Sequence, residues 1–231
     1  MRKPGILGGM GPESTLVYYK KIASEFQKRD KNGYFPVLTI ETVNMYEMLN
    51  YCTSHQYDKL ADYLLQGISN LEKAGAEFAV LASNTPHVVF DRLEEKADIP
   101  LLSIIEPACQ AVKAAKIKKA AWLGTRFTME HEYFKRGFTE NNIEIAVPNE
   151  KERGFIDRVI AEELEFGIVN EASRREMDRI IERLCSEEGA EAVIMGCTEL
   201  PLMYADERLP VPVFDTMECH IQGIVDHMFR E

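Results

Sequence analysis

Two fifteen-residue windows of this chain, KAGAEFAVLASNTPH and EEGAEAVIMGCTELP, carry a Gly-Ala-Glu step and an apolar strand in one register. Gly75 precedes Ser83 by eight positions, and Gly189 precedes Cys197 by the same eight. Each window also has an upstream strand ending in Leu-Gly. Gly8 stands 75 positions before Ser83, and Gly124 stands 73 before Cys197. Downstream, IPLLSIIEP and VPVFDTMEC both pair a proline-led strand with a helix start. A self-similarity of this length reads as a tandem duplication of one unit, and a pseudo-twofold axis would bring equivalent strand ends face to face.

The unit itself is α/β. Short runs rich in β-branched residues alternate with helical patterns, which is the signature of βαβ units and mainly parallel sheets. PGILG, FPVLTIETV, EFAVLAS, IPLLSI, KAAWLG, NIEIAV, EAVIMG and VPVFD are the expected strands. Between them, Leu60, Tyr63, Leu64, Gly67, Ile68 and Leu71 form one helical stripe, and Met177, Ile180, Ile181 and Leu184 another. Apolar residues at i, i+3 and i+4 are core faces. The expected halves are residues 1–104 with the returning segment 211–231, and residues 105–210, with the site in the cleft between them.

Charge and cysteine usage narrow the partners. A net charge of −11 disfavours nucleic acid and anionic lipid, which need a basic face. The apolar stretches are too short for a membrane span or a secretory leader. Five widely spaced cysteines without a CxxC argue against a disulfide framework or a structural zinc site, and free thiols fit a cytoplasmic location. His131, His220 and His227 lack metal-ligand spacing, so no metal is expected. A small molecule is the expected partner.

Open parallel sheets bind ligands beyond the carboxyl ends of their strands, where both Ser83 and Cys197 fall. A cysteine after an apolar strand is commonly a core filler, but its register with Ser83 makes Cys197 a candidate for chemistry. The loop Gly8-Gly9-Met10-Gly11 runs into a helix with Pro12 in its first turn. Ser14 stands where a dinucleotide fingerprint needs its third glycine, so close backbone approach of a small carboxylate at Met10 is the better reading. Thr125 is the equivalent donor of the second half. Arg126 beside it could meet a distal carboxylate bidentately or form a surface ion pair. Asp215 reads as the N-cap of the last helix.

GILGGMGPEST, SNTPH at 83–87, GTRFTME at 124–130 and GCTEL at 196–200 together resemble the cofactor-independent aspartate/glutamate racemase family over nearly the whole chain. That resemblance implies two similar α/β domains, a homodimer, no cofactor, and a small acidic amino acid as substrate. It also implies two cysteines flanking the α-carbon, of which the C-terminal one, here Cys197, deprotonates the L-enantiomer. The chain departs from the pattern twice. Serine replaces the first cysteine at position 83, as in a subgroup with a hydroxyl residue there. The usual arginine near 45–50 and lysine near 165 are missing, because those stretches read NMYEMLNYC and EELEFG.

Removing an α-proton without pyridoxal phosphate needs a base held close and dry, and donors where charge develops. Cys197 suits the first task if a helix begins after it and lowers its pKa. Thr198 would then be a carboxylate donor in the first turn, and Glu199 a helix-start residue or proton relay. Ser83 is far too weak an acid to match a thiol unless a base adjoins it, and His87, four residues on, is the candidate. Asn84 and Thr85 are expected to donate to the substrate carboxylate or bind its amino group. A single-cysteine decarboxylase or isomerase of the same superfamily, and a non-enzymatic small-acid binding module, are the alternatives.

Overall fold

The computed structural model describes residues 1–204 and 209–230. From the N-terminus run β1 (Pro4–Gly8), α1 (Pro12–Arg29), β2 (Thr39–Thr42), α2 (Met45–Thr53), α3 (Tyr57–Lys73), β3 (Phe78–Leu81), α4 (Phe90–Lys96), β4 (Leu101–Leu102) and α5 (Ile105–Ala114). There follow β5 (Lys119–Leu123), α6 (Arg126–Glu130), α7 (Tyr133–Thr139), β6 (Glu144–Ala146), α8 (Glu150–Glu162), α9 (Glu171–Ser186), β7 (Ala192–Met195), β8 (Val213–Asp215) and α10 (Thr216–Met228).

The strands form two four-stranded parallel sheets, ordered β2-β1-β3-β4 and β6-β5-β7-β8. Matching β1 to β5 makes the two orders identical. The inner strands explain their own sequences. Every residue of β1, β3 and β7 is buried, as are four of the five in β5, because helices cover both faces of a parallel sheet. Strands β2 and β4 at the edges are part-exposed, and β2 carries Thr and Glu beside Ile40. Each buried Leu, Ile or Phe in this core contributes about 1.5–3 kcal/mol.

Both expected helical stripes are core: Leu60, Leu64, Gly67, Ile68 and Leu71 are buried in α3, and Met177, Ile180, Ile181 and Leu184 in α9. Tyr63 differs, since its hydroxyl accepts the Asn44 N–H at 2.8 Å and holds the start of α2.

Two compact units result, Met1–Pro107 with Cys219–Glu231, and Ala108–Glu218. The boundaries fall inside α5 and α10, which corrects the expected ones at 104/105 and 210/211. Residues 211–218 belong to the second unit because β8 hydrogen-bonds to β7, with Val193 opposite Val213 and Met195 opposite Asp215. Asp215 then caps α10, accepting from Met217 N at 2.9 Å and Glu218 N at 3.3 Å.

The rest of α10 is tied into the first unit by a buried polar chain. His220 is fully buried, with Tyr18 Oη 2.9 Å from its Nδ1 and the Leu102 carbonyl 3.1 Å from its Nε2. Among the described residues no helix is long and apolar enough to cross a membrane.

Candidate active site

In a sheet ordered 2-1-3-4, the strand order reverses between the two inner strands, and a ligand crevice opens there at their carboxyl ends. In the first unit the flanking segments are Gly8–Gly11 after β1 and Ala82–Thr85 after β3. In the second they are Gly124-Thr125 after β5 and Gly196–Glu199 after β7. Every candidate catalytic or substrate-binding residue lies on one of these four segments or within three positions of it.

The loop after β1 is shaped by close packing. A Cβ on Gly8 would lie 2.5 Å from Thr15 Cγ2, and Gly9 adopts φ +79°, a left-handed geometry that glycine accepts without strain. Gly9 N donates to Thr15 Oγ1 at 2.9 Å. Met10, expected at the substrate, is buried at 6% exposure. The second unit repeats the device at Gly124, whose Cβ would lie 2.4 Å from Thr128 Oγ1.

After β3, Ser83 is half-buried, Asn84 buried, and Thr85 opens a 3₁₀ turn, Thr85–Val89. His87 is fully buried and stacks on Phe90 with ring centroids 5.2 Å apart. Its Nδ1 lies 2.8 Å from the Ser83 carbonyl, and its Nε2 accepts the Ile104 N–H at 3.1 Å. Both nitrogens are thus occupied by backbone, which requires a neutral ring with its proton on Nδ1. Burial pushes its pKa down to about 4. The expectation of His87 as a base for the Ser83 hydroxyl is therefore corrected: it joins the loop after β3 to the start of α5.

Arg126 is similarly committed. Its Nε donates to Glu130 Oε1 at 2.8 Å, an Nη reaches Glu150 Oε1 at 3.3 Å, and its backbone N donates to Asp157 Oδ1 at 2.7 Å. The guanidinium is exposed and paired, the surface alternative of the two read from the sequence. Thr125 caps α6, its hydroxyl accepting from Thr128 N at 3.4 Å, so it serves first as a helix cap.

Cys197 lies two residues beyond the buried strand β7 and is 7% exposed. Among the described residues, no α-helix follows it before β8. Leu200 N donates to the Cys197 carbonyl at 3.4 Å and a 3₁₀ turn occupies Leu200–Tyr204, so the expected first-turn environment is replaced by a tight bend. The thiol donates to Glu199 Oε2 at 2.9 Å, and Thr198 Oγ1 lies 2.8 Å from both oxygens of that carboxylate. Thr198 thereby positions Glu199, which differs from its expected role toward the substrate.

Electrostatics follow from this arrangement. Burial pushes the Cys197 thiol well above its ordinary value, the charge of Glu199 and its hydrogen bond push the same way, and Glu165 adds a smaller push. The lowered pKa expected from a helix N-terminus is corrected accordingly. Glu165 carries no signal in the sequence, because EELEFG stands where the family resemblance expects a lysine. It lies in the 3₁₀ turn Leu164–Phe166, which packs against the turn after Cys197. Its own carboxyl is raised by the protein packed around it, then by Glu199 and Asp157.

Comparison with known proteins agrees with this fold. The Asp/Glu/Hydantoin racemase model matches residues 7–224. The chain is 24% identical to the broad specificity amino-acid racemase RacX of Bacillus subtilis, over 96% of both sequences. Its structure is similar to an aspartate racemase homologue from Pyrococcus horikoshii, with 34% identity, full coverage of both chains and a TM-score of 0.88. It is also similar to a candidate Asp/Glu racemase from Yersinia pestis, with 32% identity, full coverage of both chains and a TM-score of 0.92. With two units of one sheet order and a family match spanning both, the chain belongs to the Asp/Glu/Hydantoin racemase family of isomerases.

Proposed function

We propose that the protein exchanges and inverts the α-hydrogen of a free amino acid without a cofactor, with Cys197 as principal acid/base and the L-enantiomer as better substrate. The observation that carries this reading is the 2.9 Å contact from Cys197 Sγ to Glu199 Oε2. A thiol buried beside a carboxylate is a poor nucleophile at rest, yet it has a proton acceptor already in place. The thiol proton passes to Glu199, the thiolate takes the α-proton, and the electron pair spreads onto the substrate carboxylate. A proton returns to the opposite face by way of the Ser83 hydroxyl, replenished from water, while Glu199 releases its proton to solvent.

Asn84 and Thr85, with backbone N–H groups near Met10, are the proposed donors to the substrate carboxylate, where negative charge develops. Ser83 is the weak counterpart because a hydroxyl without a base transfers protons poorly, and His87 supplies none. That asymmetry supports the L-preference. For the side chain, the carboxylates near Cys197 and the pairing of Arg126 oppose the acidic class that the sequence resemblance implies.

Incubating amino acids with the protein in D₂O tests the reaction. Deuterium at the α-carbon, absent with Cys197→Ala, is the expected result. Loss of CO₂ without α-deuteration would establish single-cysteine decarboxylation instead.

A further inference from the structure

Among the described residues, the charges that act on Cys197 are those of Glu199 and Glu165, both negative. Glu199 accepts the thiol hydrogen bond at 2.9 Å. Glu165, exposed, sits in the Leu164–Phe166 turn that packs against the turn after Cys197. Asp157 lies close enough to act on the Glu165 carboxyl, and its own Oδ1 holds the Arg126 backbone N–H.

Among the described residues, cations are scarce at the strand ends. Among the segments following the eight strands, only those after β5 and β6 carry a lysine or arginine within five residues, Arg126 and Lys151. The Arg126 guanidinium is bound to Glu130 and Glu150. Lys151 is exposed and lines an open depression with Arg126, Asn149, Glu150 and Gly154, to which Cys197, Thr198 and Glu199 contribute nothing. A distal carboxylate brought to Cys197 would therefore meet the carboxylates of Glu199 and Glu165, while the described strand-end cations are Arg126, already paired, and Lys151, and like charges placed together are strongly disfavoured.

We infer that the substrate carries a cationic side chain, its charged end held by Glu165 while Cys197 and Glu199 work at the α-carbon, an inference that rests on the racemase reading above. Glu165 is the specificity-determining residue. Its carboxylate attracts an ammonium or guanidinium and repels a second carboxylate, so discrimination comes from both the favoured and the rejected partner.

The test compares L-lysine, L-arginine, L-aspartate and L-glutamate in D₂O, with wild type and Glu165→Lys, the fold of each protein being checked by circular dichroism. Binding of L-lysine and L-aspartate to Cys197→Ala, with and without Glu165→Lys, is measured by calorimetry. The expected result is α-deuteration of lysine and arginine with kcat/KM at least about tenfold above that of aspartate and glutamate, reversed by Glu165→Lys. Exchange of aspartate or glutamate as fast as lysine in wild type, or a preference unmoved by Glu165→Lys, overturns the inference. If nothing exchanges but lysine binds more tightly than aspartate, and Glu165→Lys abolishes this, the racemase reading fails and the side-chain assignment stands. Neither exchange nor binding overturns both.

Discussion

The Cys197 thiol donates to Glu199 Oε2 across 2.9 Å, two residues along the same tight bend. The contact keeps the thiol protonated at rest and gives its proton somewhere to go. Replacing Glu199 by Gln should therefore separate two properties. The thiol should alkylate with iodoacetamide at lower pH, because the nearby negative charge is gone, while α-hydrogen exchange should fall, because the acceptor is gone. A downward shift of one unit in the thiol pKa corresponds to about a tenfold rise in thiolate below it. Parallel changes in alkylation and exchange would show that Glu199 acts only on thiol acidity.

Enantiomers should be handled unequally. The L-form of a substrate should exchange its α-hydrogen faster than the D-form, and Ser83→Cys should narrow the gap by supplying a second thiol. Deuterium incorporation from each enantiomer measures this. Equal rates in wild type would mean that Ser83 is no handicap.

The buried histidines make stability fall in acid. Burial first, then the neighbouring His87, lowers the His220 pKa to about 3, and burial lowers that of His87 to about 4. The folded state binds fewer protons than the unfolded chain, so this stability is fully present above the unfolded value of about 6.5 and is lost as pH falls toward 4. The groups facing the pair include the Tyr18 hydroxyl, the Ser83 and Leu102 carbonyls, the Asn84 backbone and the Ile104 N–H. Each histidine should contribute a slope of about 1.4 kcal/mol per pH unit in that window. Denaturant melts from pH 7 to 4.5 should show it, with a shallower slope in His220→Gln.

Gly196 should tolerate no side chain. Its Cβ would lie 2.3 Å from Trp122 Cζ2, a fully buried ring that also packs against Phe134 and Phe138. Gly196→Ala should destabilise the protein by about 1–3 kcal/mol, the usual consequence of overpacking. It should also slow α-hydrogen exchange, since the displaced backbone leads directly into Cys197. An unchanged urea midpoint would show that the indole can move aside.

Much of this protein is written locally in its chain. The inner strands are legible because burial on both faces demands continuous apolar runs, and the helices because one apolar stripe repeats every three to four residues. The register of Ser83 with Cys197 is sequence arithmetic, and it selects the four loop segments that flank the two strand-order reversals. What the chain alone did not decide are matters of partnership. His87 is separated by seventeen positions from the Ile104 N–H that occupies its Nε2, and Arg126 by twenty-four from Glu150. Glu165 reaches the surroundings of Cys197 only because two 3₁₀ turns pack together. A side chain's type states what it can donate or accept. Whether it is spent on backbone, on an ion pair or on a reacting atom depends on which distant groups folding brings within about 3 Å, because hydrogen bonds weaken steeply beyond that reach.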